Sequence, residues 1–149
     1  MKLARLNFPA YDFKFKYREN KHFIFSEIRK KYLQLTPEEW VRQHCVKFLL
    51  KEKGYSKVSL NEEKTFKIND IEKRYDLVSY QNDGSIRLVV ECKAPGVKID
   101  QKTFDQIARY NLVLKAELLM LTNGLEHYFC RTDHQNGSYD FLPELPKKR

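Results

Sequence analysis

Apolar residues recur at helical spacing after Thr36, and the first predicted element is a helix that begins there. Thr36 is a favourable N-cap, Pro37 suits the first helical position, and Glu39 has the spacing of a capping box. The apolar residues that share one face of this helix are Val41, Cys45, Phe48 and Leu49. Gly54 follows where a C-terminal glycine cap is expected. The pattern therefore predicts an amphipathic helix between Thr36 and Gly54.

From residue 57 the pattern changes to short segments typical of strands. The predicted strands are KVSLNEEKTFKI at 57–68, EKRYDLVSY at 72–80 and IRLVVECK at 86–93. The last two are rich in β-branched and aromatic residues, which favour extended structure. The sequence therefore predicts three consecutive strands in this part of the chain.

The Asp83-Gly84 dipeptide between the last two strands favours a hairpin. In a two-residue loop of this type both central residues take positive φ. Such a loop pairs Tyr80 with Arg87 and Asp76 with Glu91. The two carboxylates are therefore predicted to be direct neighbours across the hairpin.

The second half of the chain repeats the change from helix to strand. Asp100 can cap a helix that runs to about Lys115, and ELLMLTNG and EHYFCRT follow as two further strands. Near the start of the chain, YDFKFKY at 11–17 alternates as an amphipathic edge strand does. We predict a single domain over 1–149, with a basic lead-in at 1–35, a core at 36–131 and a loose basic tail at 143–149.

Composition excludes several classes of protein. A chain of 149 residues that is 42% hydrophobic is long enough for one domain with a proper core. No Walker A sequence is present, so an ATP-driven motor is not expected. The first residues form neither a signal-peptide core nor a membrane span, which predicts a cytoplasmic protein. Three cysteines without paired spacing indicate buried thiols.

Charge adds only a weak preference for a polyanionic partner. The chain carries 28 Lys and Arg against 20 Asp and Glu, a net charge of +8. Such a protein attracts nucleic acid through counterion release, although many basic domains have no such partner. The basic residues of the lead-in that we take as candidate phosphate contacts are Lys14, Lys16 and Arg18. A solvated face explains their density equally well.

The predicted hairpin brings chemically active side chains together. Glu91 and Lys93 share one face of their strand, while Cys92 points into the opposite layer. Like charges at Asp76 and Glu91 repel each other, and a hard divalent cation such as Mg²⁺ or Mn²⁺ compensates them directly. An alternative remains open: Arg74 and Lys93 could neutralise both acids in a surface ion-pair cluster.

Four further segments of the sequence are RYDLV, LVVECKAP, QIARY and LMLTNGLEHYFC. They resemble the PD-(D/E)xK nucleases, and more closely the N-terminal nuclease domain of type I restriction enzyme R subunits. Together with the first helix they span about residues 36–131. The combination is far more specific than the three charged positions alone. One departure is Tyr75, which stands where the family signature has proline.

The resemblance implies an α/β fold, restriction-endonuclease-like, with a central mixed β-sheet flanked by helices. It implies that Asp76 and Glu91 bind Mg²⁺ or Mn²⁺, that the carbonyl of Cys92 adds a ligand, and that Lys93 orients or activates the attacking water. Some relatives supply a further acid from the first helix. Glu38 is the candidate here, because Glu39 already has the capping role.

The resemblance also places Gln106 and Tyr110 beside the active site, in contact with DNA or with the metal ligands. They lie four residues apart and so share a helix face. The structural alternative is a core-facing tyrosine and an amide hydrogen-bonded to a neighbouring strand.

The function expected from these features is metal-dependent hydrolysis of DNA phosphodiester bonds by an endonuclease or nuclease module. A full R subunit also needs a motor, and this sequence has no Walker A signal. The chain is therefore expected to act alone or with other restriction or defence-system subunits. The alternatives are a non-catalytic nucleic-acid-binding module of the same fold and an assembly component. The sequence does not distinguish DNA from RNA.

Overall fold

A computed structural model of the chain describes residues 2–148, which form nine strands and two α-helices. In chain order the elements are β1 (Phe15–Arg18), β2 (Lys21–Ser26), β3 (Lys31–Gln34), α1 (Pro37–Glu52), β4 (Leu60–Ile68), β5 (Ile71–Tyr80), β6 (Ile86–Cys92), α2 (Gln101–Leu114), β7 (Leu118–Thr122), β8 (His127–Asp133) and β9 (Ser138–Leu142). A short 3₁₀ turn at Lys57–Ser59 precedes β4.

Strands β4 to β9 form a six-stranded sheet in chain order. Strands β6 and β7 are parallel because α2 connects them as a crossover, and the other neighbours are antiparallel. Leu77 and Val90 pack on the side of α1, whereas Val78 and Val89 pack on the side of α2. The α/β fold with a mixed sheet flanked by helices is thus confirmed, and the sheet is buried on both faces in its centre.

Local capping explains where the helices begin and end. Thr36 Oγ1 accepts a hydrogen bond from the Glu39 amide at 3.0 Å, as predicted. The Glu39 carboxylate does not complete a capping box, because it accepts hydrogen bonds from side chains further along α1. Asp100 caps α2 by accepting from the Thr103 amide at 2.8 Å, and Lys115 ends that helix with a left-handed φ of 64°.

The hairpin between β5 and β6 has the predicted register from Leu77 to Ser79 but a different pairing at Tyr80 and a longer loop. Val78 pairs with Val89 as expected, whereas Tyr80 pairs with Ile86 and not with Arg87. The prediction of a two-residue loop was wrong: the Gln81 amide donates to the Ser85 carbonyl at 2.7 Å across a loop of five residues. Asp83 stabilises this loop because its carboxylate accepts hydrogen bonds from the Ser85 amide and hydroxyl.

The two ends of the chain are more ordered than the sequence predicts. The lead-in contains a separate three-stranded antiparallel sheet, β1-β2-β3, where only one edge strand was predicted. The prediction of a loose tail was wrong as well. Leu145 is fully buried in the core, and the Lys148 amide donates to the Lys53 carbonyl at 2.8 Å. Both ends therefore contribute to packing.

The sequence predicted no membrane span in the first residues and three buried thiols. Neither helix within residues 2–148 is both long enough and apolar enough to cross a lipid bilayer. The three cysteines, Cys45, Cys92 and Cys130, are buried free thiols, as predicted. Burial raises the pKa of the Cys130 thiol to about 12, so this group is a packing residue.

Gly124 is a turn glycine whose replacement by alanine should cost stability. Its φ is +87°, and an added Cβ would lie 2.8 Å from Leu6 Cδ2 and 3.0 Å from Val41 Cγ2. We expect Gly124→Ala to lower the free energy of unfolding by about 2–3 kcal/mol, because the clash adds to the backbone strain. Thermal melts measure the loss.

Gly84 provides a matched control for that substitution. It has the same φ of +87° but no atom within 4 Å of an added Cβ. Gly84→Ala should therefore show the backbone strain alone and lower the melting temperature less. Equal losses in the two variants would contradict the close contact between Gly124 and the N-terminal segment.

Candidate active site

Asp76 lies where the pairing of β5 with its neighbours is interrupted. Pairing between β4 and β5 passes from Leu77 to Tyr75 without Asp76, and Glu63 on the facing strand has a positive φ of 54°. Pairing between β5 and β6 ends at Leu77 and Val90. The irregularity breaks the strict alternation of side chains and releases Asp76 from the ladder.

The Asp76 carboxylate accepts a hydrogen bond from a main-chain amide of β6, as a carbonyl of a paired strand would. Its Oδ2 accepts a hydrogen bond from the Cys92 amide at 2.8 Å. Its Oδ1 accepts from Arg42 Nη2 at 2.7 Å and from Arg42 Nε at 3.2 Å. The predicted direct pairing of Asp76 with Glu91 is therefore absent from the ladder, because the side chain of Asp76 contacts β6 one residue further on.

Glu91 is the more deeply buried of the two acids, with a side chain 5% exposed. Its Oε2 accepts from Lys73 Nζ at 3.1 Å, whereas its Oε1 is buried and has no hydrogen-bond partner among residues 2–148. Burial above all, and then the charge of Asp76, raises the pKa of Glu91 to about 7, although Lys73 and Lys93 oppose the shift. An unpartnered buried carboxylate oxygen is costly and is a ready position for a cation.

The basic side chains that pair with the two acids are not Arg74 and Lys93, which the ion-pair alternative named. Arg42 pairs with Asp76 and Lys73 pairs with Glu91. Arg74, which the sequence suggested for this role, is exposed. Lys93 acts on Glu91 only through its charge. Sequence reasoning missed Arg42 although it follows Glu38 and Glu39 at helical spacing, because that signal says nothing about Asp76.

Lys93 and Cys92 extend the site along β6. The Lys93 amide donates to the Thr122 carbonyl at 2.8 Å, which continues the parallel contact with β7. The Cys92 side chain lies in the α1 layer, with its Sγ 3.7 Å from Cys45 Sγ, as the alternation predicts. Cys92 therefore presents only its backbone to the acids.

The donor set can be compared with that of a hard divalent cation. No three His, Cys, Asp or Glu side chains in the described part of the chain are grouped as metal ligands. The two carboxylates, with backbone and water oxygens, are nevertheless the oxygen donors that Mg²⁺ prefers, and it usually retains several waters. The unpartnered Glu91 Oε1 fits such an ion.

Gln106 and Tyr110 line one cleft of about 470 Å³ between α2 and the turn after β4. Gln106 is exposed there, and Tyr110 is partly buried against the core on the α2 side. The cleft also contains Lys102 and Arg109. The core-facing alternative thus applies in part to Tyr110, whereas Gln106 faces the open cleft.

Tyr75 is a buried polar side chain near both Glu91 and Tyr110. Its side chain is fully buried and its hydroxyl has no hydrogen-bond partner within the residues described. Burial raises its pKa, and the charges of Glu91 and Tyr110 raise it further. Tyr75 therefore places a second unpartnered polar atom near Glu91.

Glu38, the candidate acid of α1, contacts Arg42 and neither Asp76 nor Glu91. It is half exposed, and its carboxylate accepts from Arg42 Nη2 at 3.2 Å. Arg42 thus separates Glu38 from Asp76. Glu39 is buried and is held by the same arginine.

Lys16 and Arg18 lie on β1 and Lys14 immediately precedes it, and all three are exposed. The Lys16 ammonium lies 4.2 Å from the centroid of the Tyr32 ring, and the Lys14 ammonium lies 5.6 Å from that of Phe25. The aromatic rings hold both lysines on one face of the sheet. This basic sheet face, defined by Lys14, Lys16 and Arg18, is separate from the acids.

Comparisons with known proteins place the chain in a family. None of the curated proteins matches its sequence. A solved fragment of an HsdR-type subunit of a type I restriction enzyme from Vibrio vulnificus YJ016 is 24% identical, with a TM-score of 0.48, over 68% of this chain and 22% of that one. The chain thus spans less than a quarter of the length of that relative. The family described as type I restriction enzyme R protein N terminus matches residues 37–146, which include both acids and both helices. The chain belongs to this family of type I restriction enzyme R protein N termini.

Proposed function

We propose that this chain is a metal-dependent nuclease module of a restriction system that hydrolyses phosphodiester bonds in DNA. The observation that carries the proposal is the buried, unpartnered Oε1 of Glu91 beside the charge of Asp76. A cation at this point would satisfy the orphaned oxygen and offset the repulsion between the acids. Membership of a restriction-enzyme family supports DNA as the substrate.

Asp76 and Glu91 are the side chains that would hold Mg²⁺ or Mn²⁺, and the Cys92 carbonyl is the proposed third protein oxygen. When bound, the divalent cation polarises the scissile phosphate and supplies a nucleophile at neutral pH. Lys93 contributes a positive charge close to Glu91. We assign it the role of orienting the attacking water and offsetting the charge that develops on the phosphate.

The cleft beside Gln106 and Tyr110 is the proposed path of the DNA strand next to the acids. Its side chains combine two hydrogen-bonding groups with the positive charges of Lys102 and Arg109. Such a mixture suits a phosphate backbone, because charge and hydrogen bonds to phosphate position a strand without reading its sequence. We therefore propose that Gln106 and Tyr110 place the scissile phosphate.

The basic sheet face is the proposed second contact with DNA. We expect the combined substitution of Lys14, Lys16 and Arg18 by alanine to weaken DNA binding and to reduce the salt dependence of log Kd by up to about three units, because each lost phosphate contact removes about 0.9 of the slope. Metal affinity should stay unchanged, since this face is separate from the acids. Fluorescence anisotropy at several salt concentrations measures both quantities.

A charge-matched control uses three exposed lysines elsewhere, Lys51, Lys115 and Lys147. Their replacement removes the same net charge but not the proposed contact face, so the slope should fall much less. Equal effects of the two triple variants would show that only the net charge matters and would remove the assignment of the basic sheet face.

A second candidate function is a DNA-binding or assembly module that does not cleave. One observation favours it: each acid already has an internal cation, Arg42 for Asp76 and Lys73 for Glu91. The carboxylates are therefore compensated in part without a metal ion. In this case DNA binding would be retained without any hydrolysis.

Hydrolysis of labelled nucleic acid distinguishes the two functions. Double-stranded DNA, single-stranded DNA and RNA of one sequence are each incubated with the protein in Mg²⁺, Mn²⁺ or EDTA. The nuclease proposal expects cleavage of DNA with either metal and none with EDTA. Because R subunits act within assemblies, the same assay is repeated with the other subunits of the restriction system as proposed partners.

A further inference from the structure

We propose that Arg42 is a positioning residue, which holds Asp76 so that a single carboxylate oxygen faces the metal ion. The inference rests on the proposed function, since it concerns the same acids. It assigns a role to a residue on α1 that lies 34 positions before Asp76 in the chain.

Both oxygens of Asp76 already accept hydrogen bonds, but unequally. Oδ1 accepts two, from Arg42 Nη2 at 2.7 Å and Nε at 3.2 Å. Oδ2 accepts one, from the Cys92 amide at 2.8 Å. A carboxylate oxygen has two lone pairs, so Oδ1 is fully used and Oδ2 retains one. Asp76 can therefore offer a cation one oxygen in one direction while Arg42 stays in place.

The guanidinium of Arg42 is itself fixed from its other side. Its Nη1 donates to Glu39 Oε1 at 2.5 Å and lies 3.6 Å from Glu63 Oε1. Its Nη2 also donates to Glu38. The arginine side chain is only 8% exposed, so these charges meet where water screens them little. Arg42 is held between the acids of α1 and Asp76.

A polar network anchors this arrangement in the fold. Gln43 Nε2 donates to Glu39 Oε2 at 2.9 Å and to Glu62 Oε1 at 3.0 Å. Ser26 Oγ donates to Glu62 Oε2 at 2.9 Å, which connects the N-terminal sheet to the same network. A satisfied buried network is rigid, because each broken hydrogen bond leaves a costly unpaired group. The orientation of Asp76 thus depends on residues of α1, β2 and β4.

The geometry requires an arginine and not merely a positive charge. The planar guanidinium donates along one edge to Asp76 Oδ1 and along the other to Glu39. A lysine ammonium is a compact point charge and cannot span both acids with this fixed fork. Residues that orient metal ligands typically change metal affinity about 10- to 100-fold when substituted. Arg42→Lys therefore separates charge from geometry.

The experiment measures Mn²⁺ affinity by isothermal titration calorimetry, in the absence of DNA, for the unaltered chain and for Arg42→Lys. We expect the variant to bind Mn²⁺ about tenfold more weakly or worse. The matched control is Arg29→Lys. Arg29 pairs with Glu63 of the same network at 3.2 Å, and none of its described contacts is with Asp76. The affinity of this control should equal that of the unaltered chain.

Each outcome of the titration has a distinct meaning. Unchanged affinity in Arg42→Lys would overturn the inference, and tighter binding would overturn it by showing that Arg42 competes with the cation. If the unaltered chain itself bound no Mn²⁺, the proposed function would fail and the inference with it. Binding by the unaltered chain with no change in the variant would refute the inference alone.

A second measurement covers the case in which Arg42→Lys does not fold. In the unaltered, ¹⁵N-labelled chain, the Arg42 Nε–H resonance reports whether the hydrogen bond to Asp76 persists. We expect this proton to stay protected from exchange when diamagnetic Mg²⁺ is added. Loss of its protection on Mg²⁺ binding would show that the cation displaces Arg42, and would overturn the positioning role.

Discussion

Glu91→Gln should make the metal-free protein more stable above neutral pH and, at the same time, end Mg²⁺-dependent cleavage. Burial first, and then the charge of Asp76, raises the pKa of Glu91 from 4.5 to about 7 in the folded protein. The folded state therefore binds the proton more tightly than the unfolded state. The stabilisation that protonated Glu91 gives the folded state is full below the pKa of Glu91 in the unfolded state. It is lost as the pH rises through the folded-state pKa of about 7.

The size of this effect follows from the same shift. A pKa that rises from 4.5 to about 7 corresponds to about 3 kcal/mol of stability, as an upper limit, that is lost at about pH 8. Glutamine carries no charge at any pH, so the variant should gain part of this energy at about pH 8 and nothing at about pH 5. For a chain of this size each kcal/mol raises the melting temperature by about 2–4 °C.

Thermal melts in EDTA at both pH values measure the gain. The control is Glu117→Gln, an acid immediately before β7 whose side chain is 39% exposed and pairs with Arg87 and Arg131. That variant should gain no stability at either pH. A Glu91→Gln protein that melts lower at about pH 8 and still cleaves DNA would contradict the site, because Glu91 would then be a structural partner of Lys73.

Lys93→Ala should stop cleavage and leave metal binding in place. Lys93 supplies a positive charge near Glu91 but no oxygen ligand. Loss of a group that stabilises transition-state charge commonly lowers kcat by about 10²- to 10³-fold. We expect a loss of this size in the cleavage rate, measured under single-turnover conditions, with Mn²⁺ affinity within about twofold of the unaltered chain.

Lys98→Ala is the matched control, because Lys98 is an exposed lysine of the same β6–α2 connection. Its removal takes away the same charge without touching the acids, so cleavage should stay close to that of the unaltered chain. If Lys93→Ala lost metal affinity as completely as Glu91→Gln, the ammonium would have a structural role and not the proposed one.

The elements that the sequence predicted well depend on contacts between near neighbours. Thr36 and Asp100 mark the starts of both helices because each cap bonds to an amide three residues later. The strands on either side of 81–85 were recognisable because β-branched residues run through them. The α/β class was therefore accessible from the sequence. The register of Val78 with Val89 was right for a different reason, because a bulge between Ser79 and Tyr80 offsets the longer loop.

The charge partners of the candidate site were not accessible in this way. Arg42 and Asp76 are 34 residues apart, and Lys73 and Glu91 are 18 apart. Neither pairing leaves a local pattern. The break in alternation at Asp76 depends on the positive φ of Glu63, a conformation that glutamate rarely adopts and that no turn signal announced. Tertiary packing decided both features.

Strand β9 and the C-terminal segment were missed for a related reason. Strand β9 is mostly exposed, so it has little apolar pattern to recognise. Leu145 is a single apolar residue in a polar tail, yet it is fully buried against the core. The stability of such segments comes from the surface on which they pack, which is formed by distant parts of the chain.

The most direct test of the central claim compares cleavage of end-labelled double-stranded DNA by the unaltered chain and by Glu91→Gln, purified in parallel and matched for folded protein, in Mg²⁺ and in EDTA. The proposed metal site predicts cleavage only by the unaltered chain and only with Mg²⁺, since Glu91 offers the buried oxygen that the cation would occupy. Equal, EDTA-resistant cleavage by both proteins, or none by either with all restriction subunits present, would contradict it.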